Sequence, residues 1–187
     1  MQTFESLLSK ISQALEKEGI PYMVIGGQAV LLHGEPRFTG DIDITVGIDT
    51  NEMQRVLNVI REISLEPTKD STEDFVKRNF VLRAEDPKTG IGVDFIFSCL
   101  PYERLAIQRA VSVHIGTARI QFATAEDTII HKLFAGRPRD IEDVKGIVNN
   151  KSDLDATYLK QWLTEFSSVT GRNLLREYDT IEAEVRG

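Results

Sequence analysis

The sequence lacks the features that mark secreted, disulfide-bonded and membrane-spanning proteins. Its 187 residues include one cysteine, Cys99, which excludes an internal disulfide and a zinc cluster of thiolates. No stretch approaches the roughly 20 apolar residues of a transmembrane helix, and Met1–Ser6 lacks the basic start and apolar core of a signal peptide. We therefore expect a cytoplasmic protein that has no membrane partner.

An excess of basic charge is also missing. The net charge is −7, with 13 Lys and Arg against 17 Asp and Glu in residues 1–123 and 9 against 12 in residues 124–187. Neither part has the basic surface that long nucleic acids require. This argues against extended DNA binding and favours nucleotides and small acceptors as partners.

Hydrophobic periodicity changes at residue 123. Before it, helices alternate with short strands; after it, every apolar repeat has helical spacing. We predict an α/β (α+β) fold with a small mixed β-sheet and flanking helices in residues 1–123, followed by a C-terminal helical subdomain in residues 124–187. The predicted segments are helices at 3–18, 28–32, 53–63 and 101–109, strands at 22–25, 41–46, 79–85 and 92–98, one or two strands in 111–123, a loop at 66–78, and later helices opened by Thr124 and Asp140.

A strand, a glycine turn and a helix follow one another at residues 22–32. The apolar run Tyr22 to Ile25 ends at Gly26 and Gly27, and a helical segment starts at Gln28. Glycine allows a ligand to approach the main chain, and the N–H groups at the start of a helix attract anions. The turn therefore predicts a phosphate-binding site, although it would also serve as a simple strand–helix connection.

The next strand has two different faces. Asp41 and Asp43 lie on one face, whereas Ile42, Ile44 and Val46 lie on the other, because alternate residues of a strand share a face. Two adjacent carboxylates repel each other, yet they suit Mg²⁺, which is held by carboxylates together with substrate phosphates. We predict a metal site at Asp41 and Asp43, the alternative being two solvated carboxylates.

A third carboxylate, Asp94, interrupts an apolar strand in which Val93 and Phe95 point the other way. Burying a carboxylate in such a strand is costly unless something pairs with it. The sequence leaves two partners open, namely a metal ion and a nearby arginine such as Arg83.

Together, Ile25-Gly26-Gly27 and Asp41-Ile-Asp43 resemble the signature of the DNA polymerase β-like nucleotidyltransferase superfamily. The resemblance implies the nucleotidyltransferase fold, an NTP substrate and two Mg²⁺ ions, for which Mn²⁺ is an alternative. It also implies a third acidic residue on a neighbouring strand, a role for which Asp94 has the right setting. Asp41, Asp43 and Asp94 would then be the metal-binding and catalytic residues.

A second resemblance covers residues 22–144. Arg37-x-Thr39-x-Asp41 and the segment from Glu126 to Asp143 are similar to motifs of the AbiEii-like toxin nucleotidyltransferases and their uncharacterised relatives. The resemblance implies that Lys132 lies near the triphosphate. Further site residues that we predict on this basis are the nucleotide-binding Arg37 and Thr39, and Arg139, Asp140 and Asp143 in the helical part.

Each of these residues also has an ordinary structural explanation. A loop arginine such as Arg37 is usually solvated or in a weak surface pair, and Arg139 also suits a solvated position. Lys132 could extend its charged end from an apolar helix face to water. Asp140 is well explained as the N-cap of a helix.

The expected reaction is transfer of a nucleoside monophosphate from an NTP to an acceptor hydroxyl with release of pyrophosphate. Three kinds of acceptor remain open. They are tRNA, as for a toxin of a toxin–antitoxin pair; a protein; and a small antibiotic-like molecule. A further alternative is a non-catalytic nucleotide-binding or interaction protein that keeps the fold.

Overall fold

The computed structural model describes residues 4–187, so the predicted helix start at residue 3 and the beginning of Met1–Ser6 lie outside the described residues. Tertiary contacts divide the chain into two compact units. The sheet unit contains residues 4–27 and 39–123, and the helical unit contains residues 28–38 and 124–187. No sequence pattern had indicated that residues 28–38 would group with the C-terminal helices.

Residues 4–187 form nine α-helices and seven β-strands. The elements of the sheet unit are α1 (Phe4–Lys17), β1 (Tyr22–Ile25), β2 (Asp41–Val46), α3 (Met53–Glu62), β3 (Glu66–Pro67), α4 (Glu73–Asn79), β4 (Val81–Glu85), β5 (Gly92–Phe97), α5 (Pro101–Arg109), β6 (Val111–Ile115) and β7 (Ala118–Phe122). The elements of the helical unit are α6 (Ala125–Ala135), α7 (Pro138–Asn150), α8 (Ala156–Thr170) and α9 (Leu174–Arg186). Helix α2 (Gly26–His33) begins in the sheet unit and ends in the helical unit.

The seven strands form one mixed sheet in the order β3-β4-β5-β2-β1-β7-β6. β2 runs parallel to β5, and β1 runs parallel to β7, whereas the remaining pairs are antiparallel. This confirms the predicted mixed sheet and the β4–β5 hairpin, and it resolves residues 111–123 into two strands.

Alternation along the central strands separates the core from the opposite face of the sheet. Ile42, Ile44 and Val46 are completely buried, as are Val93, Phe95 and Phe97 of β5. Burying one such side chain stabilises the fold by about 1.5–3 kcal/mol. The apolar face therefore fixes which way the carboxylates between these residues point.

The predicted loop at residues 66–78 is wrong, because β3 and most of α4 lie in it. Thr72 caps α4 by accepting a hydrogen bond from the Phe75 N–H, and Phe80 ends the helix in the left-handed conformation. Only Val76 of α4 is buried, so the segment has no apolar repeat from which a helix could be recognised.

The start of α7 also differs from the prediction. The helix begins at Pro138 with Arg137 as its N-cap, whereas Asp140 lies in the first turn and its carboxylate accepts a hydrogen bond from the Arg137 N–H at 3.1 Å. The prediction of Asp140 as the N-cap is therefore wrong, although its carboxylate still accepts a hydrogen bond from a backbone N–H at the start of the helix. The predicted cap of α6 is confirmed, since the Thr124 hydroxyl accepts a hydrogen bond from the Asp127 N–H.

Helices α6 and α9 pack against α8, which carries a row of aromatic residues, and α7 packs against α6 and α9. Trp162 contacts Tyr158 and Phe166, with ring centroids 6.3 and 5.8 Å away, and Phe134 of α6 meets the Phe166 ring edge-on. Trp162 is thus a core residue of this unit. Within residues 4–187, none of the helices combines the length and apolar character that would let it cross a bilayer.

A network of ion pairs attaches residues 34–38 to α6 and α7 within the helical unit. The Arg37 guanidinium binds both carboxylate oxygens of Asp143, at 2.6 and 2.8 Å. The Lys132 ammonium binds Asp143 at 2.8 Å and Asp140 at 2.9 Å. Side-chain exposure is only 3% for each carboxylate and 8% for Lys132, so these charges depend on one another for stabilisation.

The ionisation of both aspartates follows from these contacts. Burial is the largest single effect on the Asp143 carboxyl, and it opposes ionisation. The hydrogen bonds from Arg37 and Lys132 together outweigh it and hold the pKa of Asp143 below its usual range. Arg137 and Lys132 likewise lower the pKa of Asp140. A pKa that is lower in the folded than in the unfolded protein stabilises the fold above the unfolded value, and this contribution is lost as the pH falls through the folded value.

We predict that Asp143→Asn lowers the free energy of unfolding by about 3 kcal/mol at pH 7, because it leaves Arg37 without its carboxylate partner in a mostly buried setting. For a chain of this size, that corresponds to a decrease in the unfolding temperature of roughly 6–12 °C. The difference between wild type and variant should begin to shrink below about pH 4, where the carboxylate of the unfolded protein becomes protonated. It should disappear as the pH falls through the lower pKa of the folded protein.

Glu142→Gln is the matched control on the same helix. The Glu142 side chain is 73% exposed and lies 3.8 Å from Lys145, so its loss should change stability by less than about 0.5 kcal/mol. Equal destabilisation by the two variants, measured by urea unfolding at several pH values, would contradict the assigned role of Asp143.

Candidate active site

The predicted carboxylates lie on one face of the sheet, opposite the apolar core. In the parallel pairing of β2 with β5, Asp43 is aligned with Asp94, and Asp41 is aligned with Gly92. Aligned residues of neighbouring strands point to the same side and are about 4.8 Å apart between backbones. Asp43 and Asp94 are therefore neighbours, whereas Asp41 is exposed and has no side chain opposite it.

The glycine turn lies directly against one of these carboxylates. Gly26 follows β1 and is the first residue of α2. Its φ of +63° is a left-handed conformation that residues with a side chain rarely adopt. A Cβ atom built on Gly26 would collide with the Asp43 carboxylate, whose Cγ would be 2.9 Å away. Glycine is thus required for two reasons, and the absent side chain is what allows the turn and the carboxylate to approach.

Asp94 has a different environment from the two carboxylates of β2. The antiparallel pairing of β4 with β5 aligns Arg83 with Asp94, and the Arg83 Nε atom lies 3.7 Å from Asp94 Oδ2. Burial raises the pKa of Asp94; the Arg83 guanidinium opposes that rise, and the negative charge of Asp41 adds to it. The arginine that the sequence left open as a partner is therefore in contact.

The donor set of this face consists of carboxylate oxygens, the ligands that Mg²⁺ and Mn²⁺ prefer. The close approach at Gly26 also brings the Asp43 carboxylate against the backbone of the glycine turn. These residues fit divalent cations together with a phosphate chain. Within residues 4–187, however, no three His, Cys, Asp or Glu side chains are already grouped as a complete metal site, and Asp94 contacts Arg83 instead.

The other predicted residues divide between the two units. Thr39 is buried in the sheet unit. In the helical unit, Arg37, Lys132, Asp140 and Asp143 come together, but as an ion-pair network in which the carboxylates balance the cations. Arg139 is exposed and donates a hydrogen bond from Nη2 to the Phe38 carbonyl at 3.2 Å.

Asp70 was missed as a neighbour of the site. It lies 3.3 Å from Arg83 Nη1, so the guanidinium is shared between Asp70 and Asp94. The signal that was available is the polar run Thr68 to Thr72 before α4, which has the composition of a turn that caps a helix. Only the pairing of β3 with β4 reveals that this turn returns to Arg83.

Comparison with solved structures identifies the fold. An antigenic nucleotidyltransferase-like protein from Paracoccidioides brasiliensis has a TM-score of 0.56 at 17% identity, with 94% of this chain and 91% of that one covered. The antibiotic-resistance factor ANT(2″)-Ia, in complex with adenylyl-2″-tobramycin, has a TM-score of 0.52 at 14% identity, with 97% and 96% covered. MenT4, a nucleotidyltransferase toxin from Mycobacterium tuberculosis, has a TM-score of 0.50 at 15% identity, with 88% and 65% covered.

At these identities the likeness establishes the nucleotidyltransferase fold and no more. No curated protein sequence is significantly similar to this chain. The family model described as nucleotidyl transferase AbiEii toxin, type IV toxin–antitoxin system, matches residues 6–185, which is nearly the whole chain. The chain therefore belongs to the AbiEii family of nucleotidyl transferase toxins and is a nucleotidyltransferase.

Proposed function

We propose that this nucleotidyltransferase is metal-dependent and transfers a nucleoside monophosphate from an NTP to an acceptor hydroxyl, with release of pyrophosphate. The observation that carries the proposal is the contact of the Gly26 turn with the Asp43 carboxylate, beside Asp94 on the same face. A phosphate-binding turn and acidic side chains next to each other are what an NTP and its cations need.

The residues of the sheet unit have separate proposed roles. The Gly26-Gly27 turn would hold the β- and γ-phosphates, and Asp41 and Asp43 would hold two Mg²⁺ ions, or Mn²⁺ in their place. When bound, the cations supply charge neutralisation on the phosphates and lower the pKa of the acceptor hydroxyl. The exposed side of Asp41, opposite Gly92, leaves room for a phosphate and water molecules.

Asp94 would help to hold one of these cations, and its carboxylate accepts the proton of the acceptor hydroxyl. A carboxylate whose pKa is raised by burial is a stronger base than an ordinary aspartate. The acceptor oxygen forms a bond to the α-phosphorus as the bond from that phosphorus to the bridging oxygen of the β-phosphate breaks. The proton remains on Asp94 and pyrophosphate leaves.

Arg37, Thr39 and Lys132 are further proposed nucleotide contacts, with Arg139, Asp140 and Asp143 as additional contributors. Lys132 and Arg37 already pair with carboxylates of their own unit, so a phosphate would have to share these cations with Asp140 and Asp143. Since those pairs are nearly buried, we assign Lys132 and Arg37 a smaller contribution than the glycine turn.

Two classes of acceptor are supported by different observations. Family membership favours a cellular target such as tRNA or a protein, as expected for the toxin of a toxin–antitoxin pair. The even acidic charge, −7 in total, instead favours a cationic small molecule over a polyanion. The likeness to ANT(2″)-Ia with adenylyl-2″-tobramycin makes a tobramycin-like aminoglycoside the natural probe for the second class.

The first prediction from this proposal concerns ligand binding. The wild type should be stabilised by Mg²⁺ with its preferred NTP, because a ligand at 100 times its dissociation constant adds about 2.7 kcal/mol. For a chain of this size, that is an increase in the unfolding temperature of about 5–10 °C. The double variant Asp41→Asn/Asp43→Asn should lose the increase, measured by thermal unfolding with each of the four NTPs. A wild type that none of them stabilises would overturn the proposal.

The glycine turn yields a second prediction. Gly26→Ala places a Cβ atom against the Asp43 carboxylate, so the Mg²⁺- and NTP-dependent stabilisation should fall to less than half. Gly90→Ala is the matched control, since Gly90 has a similar φ of +70° but no atom within 4 Å of the added Cβ. The control should cost about 1 kcal/mol of backbone strain and leave ligand binding intact. Equal loss of binding in both variants would contradict the role of the turn.

Asp94→Asn separates chemistry from binding. Label should pass from an α-³²P-NTP to total tRNA, to a cellular protein, or to tobramycin in the wild type, and the variant should label the same acceptor at least about 100-fold more slowly. Its stabilisation by Mg²⁺ and NTP should largely persist. A variant that retains full transfer, or that loses its fold, would refute the assignment of Asp94 as the base.

A further inference from the structure

Arg83 lies in the same row of side chains as the carboxylates. The register of β4 on β5 aligns it with Asp94, and the register of β2 on β5 aligns Asp94 with Asp43. Arg83, Asp94 and Asp43 therefore occupy consecutive positions across three neighbouring strands, on the face opposite the core. A single guanidinium stands at the end of a row of negative charges.

The Arg83 guanidinium is divided between two carboxylates. Its Nη1 atom lies 3.3 Å from Asp70 Oδ2, and its Nε atom lies 3.7 Å from Asp94 Oδ2. All three side chains are partly exposed, at 45% for Arg83, 54% for Asp70 and 35% for Asp94. Ion pairs at this exposure are weak and exchange readily.

The rest of Arg83 is held firmly. The Ser71 hydroxyl accepts a hydrogen bond from the Arg83 N–H at 2.9 Å and donates one to the Arg83 carbonyl at 3.0 Å, and the Thr68 N–H donates to the same carbonyl at 2.9 Å. The Phe75 ring lies under the guanidinium, with its centroid 5.4 Å from Cζ. A fixed backbone with two acceptors for the guanidinium allows the charge to move a short way between them.

A divalent cation would meet this guanidinium at Asp94. The carboxylate that pairs with Arg83 is the one proposed above to share a cation with Asp43, and two positive charges near one carboxylate repel each other. Asp70 is a second anionic partner for Arg83. The guanidinium therefore keeps a counter-charge when it moves away from Asp94.

We propose that Arg83 is a positioning residue that competes with the divalent cation for Asp94, and that Asp70 retains the guanidinium when the cation binds. This inference rests on the proposed function, because it takes Asp94 as a cation ligand. It adds that two ion pairs modulate the affinity of the site for divalent cations. These pairs are Arg83 with Asp94 and Arg83 with Asp70.

The two pairs predict opposite effects for two variants. Arg83→Met keeps the apolar length of the side chain and removes the competing charge, so Mn²⁺ should bind roughly five-fold more tightly. Asp70→Asn removes the second partner and concentrates the guanidinium on Asp94, so Mn²⁺ should bind roughly two- to three-fold more weakly. A purely structural role for Arg83 would give no such opposition of sign.

Binding is measured by titrating each full-length variant with Mn²⁺ and following the electron paramagnetic resonance signal of the free ion. Arg78→Met is the matched control, because Arg78 is exposed on α4 and its Nε donates a hydrogen bond to the Asp74 carbonyl. It should bind Mn²⁺ as the wild type does. A second control repeats the Arg83→Met substitution in the Asp94→Asn variant. There it should no longer change the affinity for Mn²⁺, because the carboxylate for which Arg83 competes is absent. Circular dichroism and the unfolding temperature establish that each variant is folded.

The outcomes separate this inference from the proposed function. Tighter Mn²⁺ binding in Arg83→Met together with weaker Mn²⁺ binding in Asp70→Asn supports the proposed competition for Asp94. A wild type that binds Mn²⁺ through Asp41 and Asp43, with Arg83→Met and Asp70→Asn both unchanged, overturns the inference and leaves the proposed function standing. Absence of Mn²⁺ binding in every variant, with or without NTP, overturns both.

Discussion

Parallel pairing of β2 with β5 is the constraint on which the sheet unit depends. It buries Ile42, Ile44 and Val46 alongside Val93, Phe95 and Phe97, and that burial outweighs the cost of bringing acidic residues together on the opposite face. Because side chains alternate, a shift of one residue in either strand would turn the carboxylates into the core. The hydrophobic register therefore fixes the position of Asp43 beside Asp94 more strongly than any contact between the charged groups does.

The electrostatics of the two units follow different principles. On the sheet, Asp41, Asp43 and Asp94 lie on one face and Asp94 contacts Arg83, an arrangement that suits the proposed site for cations and phosphates. In the helical unit, Arg37 and Lys132 are balanced by Asp140 and Asp143 in a nearly buried network. A partly exposed group of carboxylates is accessible to ligands, whereas a buried network of paired charges favours a fixed structure.

Local signals accounted for most of the fold. The strand that carries Asp41 and Asp43, the hairpin of β4 and β5 and the cap of α6 by Thr124 all follow from alternation, turn composition and capping. The signals failed at α4, whose single buried residue gives no apolar repeat, and at Asp140, where a carboxylate in the first turn has the same composition as an N-cap. In both places several local explanations fit the same residues.

The sequence by itself determined the class of fold, the glycine turn and the pair of carboxylates, because these depend on residue spacing within one strand–turn–helix segment. Tertiary structure alone decided that Asp94 aligns with Asp43, that Arg83 is shared with Asp70, and that Arg37 and Lys132 are engaged by Asp143. The Arg37–Asp143 contact joins residues 106 positions apart, and the Arg83–Asp70 contact crosses from a turn to a strand. Such pairings are selected by how the apolar faces pack, and no local pattern of residues specifies them.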